Sequence, residues 1–180
     1  MKIKHNLFDS AFFDQPSLEI APKILGAKLF HRAKDGMIQK FTICETEAYH
    51  GTDDLASHAS KGKNEKNQLM FGPSNIWYLY LCYGVHWMLN LVTDREGTPS
   101  AVFIRATLEV EGPGRLTRKL SLDQSYSGIP NDPSTNLWLE KSSSKPETIK
   151  RGPRVGISGA GPYWSKVPYR FWFSKSTQVE

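Results

Sequence analysis

The sequence predicts an α+β fold in which a few short helices pack on a mixed or antiparallel sheet. Three observations carry that expectation. Phe41–Ala48, Ile76–Cys82, Trp87–Val92 and Ala101–Thr107 are apolar or alternating runs of strand length. Two of them, Ile76–Cys82 and Trp87–Val92, are separated only by Tyr83-Gly84-Val85-His86, which is hairpin spacing. Helical signals are short and confined to two places, the segment closed by Gly26 and Arg115–Leu120.

In chain order, residues 17–32 read as a short helix closed by Gly26, with Pro22 tolerable only near its start. In the next run Phe41, Ile43, Glu45 and Glu47 share one parity, and Thr42, Cys44, Thr46 and Ala48 the other. Glu45 and Glu47 are therefore expected on one face, roughly 7 Å apart. His50–Met70 has the polar, lysine-rich composition of a long loop. In the hairpin, a three-residue loop is expected to set Tyr80 opposite Asn90, and a two-residue loop to set it opposite Leu89. Either choice leaves Tyr83 near the tip. Arg105 shares parity with Ala101 and Phe103. Gly112-Pro113-Gly114 leads into the basic helix. Residues 123–150 are expected to form surface loops around Leu137-Trp138-Leu139, and a last strand is expected at Tyr169–Phe173.

The 180 residues are expected to make one domain, 1–180, long enough to bury a core without covalent staples. An excess of 23 Lys+Arg over 18 Asp+Glu gives a formal charge of +5, which permits a polyanionic partner without demanding one. Two cysteines, Cys44 and Cys82, are too few for a disulfide scaffold, a four-cysteine zinc site or a four-cysteine iron–sulfur cluster. The amino-terminal residues lack the apolar stretch of a signal peptide, and no run approaches the ~20 apolar residues of a membrane span. A cytoplasmic protein without metal, cofactor or membrane partner is expected.

Chemistry concentrates in Glu45–His58, where two carboxylates, an aromatic ring and an imidazole surround one turn, and in the ring-dense run Trp77–Tyr83. Acids beside clustered flat rings suit a site that stacks a planar ligand and performs acid–base chemistry on it. A buried Arg105 calls for a carboxylate nearby on stability grounds alone. Each residue also has an ordinary reading. Glu47 can be a solvated strand-end acid, Tyr49 and Tyr80 cross-strand packing, His58 a loop imidazole, Tyr83 a cover for its turn, and Asn90 a cap on a buried backbone group. Lys61, Lys63 and Lys66 are candidate phosphate contacts or a solvated charged loop. Gly114 and Arg115 could present backbone amides and charge to a phosphate.

These residues also form a recognisable series. Glu45-Thr46-Glu47-Ala48-Tyr49 with His58, Met70-Phe71-Gly72-Pro73 leading to Tyr78-Leu79-Tyr80 and Tyr83-Gly84, Asn90, and Ile104-Arg105-Ala106 occur in order. With Gly112–Leu116, Pro153–Ile157 and Arg170-Phe171, the chain resembles the monofunctional alkyladenine (3-methyladenine) DNA glycosylases over nearly its whole length. Ser74-Asn75 stand where that family usually has Pro-Gly, and Leu108-Glu109 where it has Glu-Pro.

The resemblance implies a single compact domain around a curved antiparallel sheet, with a β-hairpin wedged into the minor groove. It implies a monomer acting on double-stranded DNA that contains damaged purines, flipping out alkylated or deaminated bases and hydrolysing the N-glycosidic bond with an activated water. It assigns Glu47 as the catalytic carboxylate and Arg105 as the arginine beside the water. Tyr49, His58 and Tyr80 become pocket walls, Tyr83 the intercalating wedge, and Asn90 the residue that excludes guanine. Three other readings compete with it: a catalytically silent nucleic-acid-binding domain, a metallohydrolase using His50, Asp53, Asp54 and His58, and a lyase with a lysine nucleophile.

Overall fold

The computed structural model describes residues 5–144 and 146–174. Eight strands form one sheet there: β1 (Lys28–Arg32), β2 (Ile38–His50), β3 (Trp77–Cys82), β4 (His86–Val92), β5 (Ser100–Thr107), β6 (Leu137–Glu140), β7 (Lys150–Gly152) and β8 (Arg170–Trp172). Three helices accompany them, α1 (Ser17–Lys23), α2 (Pro113–Lys119) and α3 (Gly161–Trp164). The main path runs β3-β4-β5-β2-β1-β6, with β8 joining β2 and β7. Every recorded pairing is antiparallel, so the fold is α+β on an antiparallel sheet.

The long strand β2 positions the site. Its first residues pair with β1, its later ones with β5 on one edge and β8 on the other. Register shifts between Ile43, Glu45 and Thr46 mark a bulge against β5. A bulge adds a residue to one strand and sharpens the local twist, re-aiming the side chains beyond it. Thr46 and Ala48 then face the core, where Thr46 Oγ1 donates to the Ala21 carbonyl of α1 at 2.8 Å. Glu45, Glu47 and Tyr49 occupy the other face. On β5, Val102 and Ile104 are buried in the main core with Leu79, Leu89 and Leu91, while Ala101, Phe103 and Arg105 turn toward the site.

The hairpin corrects the expected register. Cys82 pairs with His86, so Tyr80 faces Met88 and Asn90 faces Tyr78. Tyr83 (φ +51°) and Gly84 (φ +68°) adopt left-handed conformations, and the Val85 amide donates to the Cys82 carbonyl at 3.1 Å. The tight turn is thus of the mirror-image type that suits twisted hairpins, with Val85 as one extra residue before pairing begins. The loop has three residues but is centred on Gly84, one position earlier than a Tyr80–Asn90 pairing requires. The displacement is two residues, an even number, so Tyr80 and Asn90 still share a face.

Other elements keep to expectation or depart from it locally. The 17–32 segment is helix over Ser17–Lys23, turns at Gly26 (φ +85°) as expected, and then enters strand β1 at Lys28. Pro22 sits near the helix end rather than the start. There it leaves the Leu18 carbonyl, four residues back, without its helical donor. The short element expected at Leu137–Leu139 is a buried strand on β1, Leu137–Glu140, and Lys150–Gly152 adds a strand beyond it. Asn75, where the resembled family has glycine, takes φ +62°, a conformation asparagine tolerates better than most residues. Gly114 meets a different demand: a Cβ there would lie 3.0 Å from His86 Cγ, so α2 can approach β4 only without a side chain.

Candidate active site

The outward faces of β2, β3, β4 and β5 surround a cavity of about 410 Å³, within the usual range for small-molecule sites. Tyr49, His58, Tyr80, Asn90, Arg105 and the tip residue Tyr83 all line it. The strands bring them together from positions far apart in sequence. Tyr78, Met88, Phe103 and Val155 complete much of the wall.

Glu47 is fully buried behind this wall, and the groups that hold it form part of the wall. Its Oε1 accepts the Val155 amide at 2.8 Å and lies 3.4 Å from Arg105 Nη1. Its Oε2 accepts the Tyr49 hydroxyl at 2.9 Å. A carboxylate oxygen has two lone-pair directions, so Oε2 keeps one for a further donor. Burial raises the Glu47 pKa; Arg105, the Val155 amide, Tyr49 and Arg154 oppose that rise in descending order. Desolvation prevails, and the acid is poised above the ordinary glutamic range.

Arg105 bridges the two acids. Its Nε donates to Glu45 Oε1 at 2.9 Å, and Arg170 Nη1 lies 3.6 Å from the same oxygen. Glu45 therefore fixes the guanidinium that faces Glu47, which matches the expectation that both glutamates share a face.

The ring wall is neutral. His58 Nδ1 lies 3.0 Å from the Tyr78 hydroxyl, whose proton reaches the Lys66 carbonyl at 3.2 Å. When that proton bonds the Lys66 carbonyl, His58 Nδ1 is the donor to the Tyr78 oxygen. Burial lowers the His58 pKa, which keeps the imidazole uncharged. Its ring meets Tyr80 edge-on at 4.3 Å between centroids. Burial also raises the tyrosines: Tyr78 to about 12, Tyr80 further, and Tyr49 well above its usual value, with the Glu47 charge adding to the effect on Tyr49.

Asn90 serves two purposes at once. Its Nδ2 donates to the Tyr78 carbonyl at 3.2 Å and to the Met88 carbonyl at 3.1 Å, while the residue lines the cavity. Both amide protons are thus committed to backbone, which prevents the side chain from swinging aside. Tyr83 is 93% exposed at the cavity mouth, an unusual position for a large ring.

The candidate phosphate contacts are scattered. Lys61 and Lys66 line an open groove that shares Tyr80, Cys82 and Tyr83 with the cavity. Lys63 is exposed with its Nζ 6.0 Å from the Phe71 ring centre. Arg115 is exposed on α2, and Gly114 is explained by its contact with His86.

The rival residues have other partners. Asp54 is paired with Arg154, and His50 Nδ1 lies 3.4 Å from Ser100 Oγ and 3.7 Å from Asp94. Among the described residues no group of three or more metal-binding side chains converges. No lysine lines the cavity among them. Arg154 itself was missed as a site residue. Its partner is 100 positions away, and only the Pro153–Ile157 segment of the family resemblance marked its neighbourhood. Among the described residues no helix is long and apolar enough to cross a membrane.

Comparison with known proteins identifies the family of the chain. Residues 11–111 and 108–177 match the family model described as methylpurine-DNA glycosylase. A relative from Myxococcus xanthus is 38% identical over 97% of this chain and 93% of its own length. One from Anaeromyxobacter sp. is 40% identical, covering 89% of this chain and 85% of its own. A third, from Methanocella arvoryzae, is 35% identical over 93% and 92%. All three carry the name "Putative 3-methyladenine DNA glycosylase".

Proposed function

The chain belongs to the methylpurine-DNA glycosylase family, hydrolases of N-glycosyl bonds in DNA, and on that premise we propose how its cavity works. The substrate is a purine in double-stranded DNA carrying alkylation or deamination damage, of the 3-methyladenine, hypoxanthine and ethenoadenine class. The nucleotide is flipped out, and its base enters the cavity between the rings, exchanging stacking in DNA for contact with side-chain aromatics. Tyr83 fills the gap it leaves. Rupture of the C1′–N bond develops positive charge on the sugar. Glu47, anionic and facing Arg105, takes a proton from the attacking water and stabilises that charge. The water delivers its oxygen to C1′, and the base departs with the bonding electron pair.

The observation that carries this reading is the Glu47 carboxylate, buried in the protein yet held by three groups that line the cavity. Holding a carboxylate there at the cost of desolvation suits a group needed as an anion at the moment of reaction. The neutral His58 and high-pKa tyrosines offer no strong acid to the leaving base. Methylated purines that already carry positive charge are therefore the best substrates, and neutral lesions slower ones. Asn90 excludes guanine by steric conflict with its minor-groove amino group, since its amide is pinned by two carbonyls. The protein works as a monomer in the compartment that holds the chromosome.

The test is a panel of duplexes bearing single lesions. Free base should appear, with the strand intact until alkali treatment and no borohydride-trapped enzyme–DNA adduct. Duplex binding without base release would instead identify a silent DNA-binding domain.

A further inference from the structure

We infer that the buried Asp54–Arg154 ion pair is a positioning device for this reaction, setting the Val155 amide and the Tyr49 ring that together hold Glu47. The inference rests on the reading of Glu47 as the group that activates water.

The pair itself needs explaining. Both side chains are fully buried, with Arg154 Nη1 2.5 Å from Asp54 Oδ2 and Nη2 2.7 Å from Oδ1. Buried ion pairs are generally no more stabilising than well-packed apolar side chains of similar size. Its surroundings supply a use. Arg154 Nη1 also donates to the carbonyl of Ala48 at 2.9 Å, and Ala48 is the residue between Glu47 and Tyr49. The guanidinium carbon sits 4.5 Å from the centre of the Tyr49 ring and 5.3 Å from that of Tyr169. The next residue along the chain, Val155, donates its amide to Glu47.

Arg154 thus touches the backbone of the acid's strand and the ring of one donor, and carries the other donor beside it. Pro153, Val155 and Gly156 are exposed, so Arg154 is the buried anchor of this stretch. Without it, little would keep the Val155 amide on Glu47. Asp54 extends the device to the opposite wall. Its Oδ1 accepts the Ala56 amide at 3.0 Å and its carbonyl accepts the Ser57 amide at 2.8 Å, immediately before His58. A planar fork is required, because a lysine cannot engage both Asp54 oxygens and the Ala48 carbonyl in one plane.

The charged and titratable groups facing Glu47 are Arg105 from β5, Tyr49 from its own strand, Tyr80 from β3, Arg154, and Arg170, its register partner on β8; Glu45 pairs with both Arg105 and Arg170. Two variants test the inference in the full chain: Arg154→Lys, and the double replacement Asp54→Leu with Arg154→Met, which removes both charges and leaves apolar packing. Each is assayed for thermal stability, affinity for a hypoxanthine duplex, and single-turnover excision at saturating enzyme across pH.

Arg154→Lys should slow excision about tenfold to a hundredfold with unchanged affinity, the cost of a misplaced reacting group. The folded double variant should show the same loss and, with the Val155 amide and Tyr49 hydroxyl displaced from Glu47, an acid limb moved to higher pH. Wild-type rate and pH profile in either folded variant would overturn the inference, as would equal losses of affinity and rate. If the double variant fails to fold, Arg154→Lys alone decides. Full excision by Glu47→Gln would sink the parent reading instead. Loss of excision in Glu47→Gln beside a fully active Arg154→Lys would sink the inference alone.

Discussion

The Tyr49 hydroxyl donates to Glu47 Oε2 at 2.9 Å from a ring two residues along the same strand. Strand alternation makes this contact possible, since residues i and i+2 share a face. It also gives Tyr49 a second task beyond forming the wall. Tyr49→Phe keeps the ring and removes the donor. A hydrogen bond to a charged group is worth roughly 1.5–3 kcal/mol, so excision at neutral pH should fall about ten- to a hundredfold with lesion affinity unchanged. The acid limb of the rate profile should move to higher pH, because that bond favours the anion.

Glu47 predicts opposite pH trends for rate and stability. Burial raises its pKa above the ordinary value of 4.5. Excision requires the anion, so it should fall on acidification while the pH is still above that value. Stability runs the other way. With the folded-state pKa raised, the acid's contribution is fully present below the unfolded value and is lost as pH rises through the folded one. Glu47→Gln should therefore match wild type in melting temperature at pH 4 and exceed it at pH 7. Melting curves at both pH values check this; a variant less stable at pH 7 than at pH 4, relative to wild type, would contradict it.

Tyr83→Ala should weaken capture more than chemistry. The ring is 93% exposed and strained at φ +51°, so it contributes little to the fold. Its use as a wedge is worth roughly 1–3 kcal/mol of binding, or about five- to 150-fold in affinity. Single-turnover kinetics across enzyme concentrations separate the two effects. Equal loss in affinity and saturated rate would remove the wedge.

Much of this arrangement was legible in the sequence. Alternation in Phe41–Ala48 put Glu45 and Glu47 on one face, and the structure has both on Arg105. Parity placed Ala101, Phe103 and Arg105 together, and all three line the cavity. Less local features were hidden. The bulge at Glu45 depends on how β5 and β8 share β2, which no single run encodes. Strands β1 and β7 are short and polar-flanked, and they exist because β2, β6 and β8 pair with them. Asp54 reads as a loop acid or a candidate metal ligand until Arg154 arrives across 100 residues.

Asn90→Ser should relax the exclusion of guanine. A smaller side chain with one hydroxyl cannot reproduce the amide's two backbone bonds, and the space beside the base opens. A contact of that size changes discrimination by roughly 1–3 kcal/mol, so guanine release from undamaged duplex should rise about five- to 150-fold. Chromatography of released bases measures it, and an unchanged guanine yield would refute the steric account.

The most direct measurement of the whole account is the single-turnover excision rate of Glu47→Gln on a hypoxanthine duplex at saturating enzyme and neutral pH. Glutamine keeps the shape and burial of the side chain but cannot accept a proton from water. A fall of about a hundredfold or more, in a folded protein that binds the lesion duplex as wild type does, is the predicted result. Excision at the wild-type rate would show that the buried carboxylate only supports the fold.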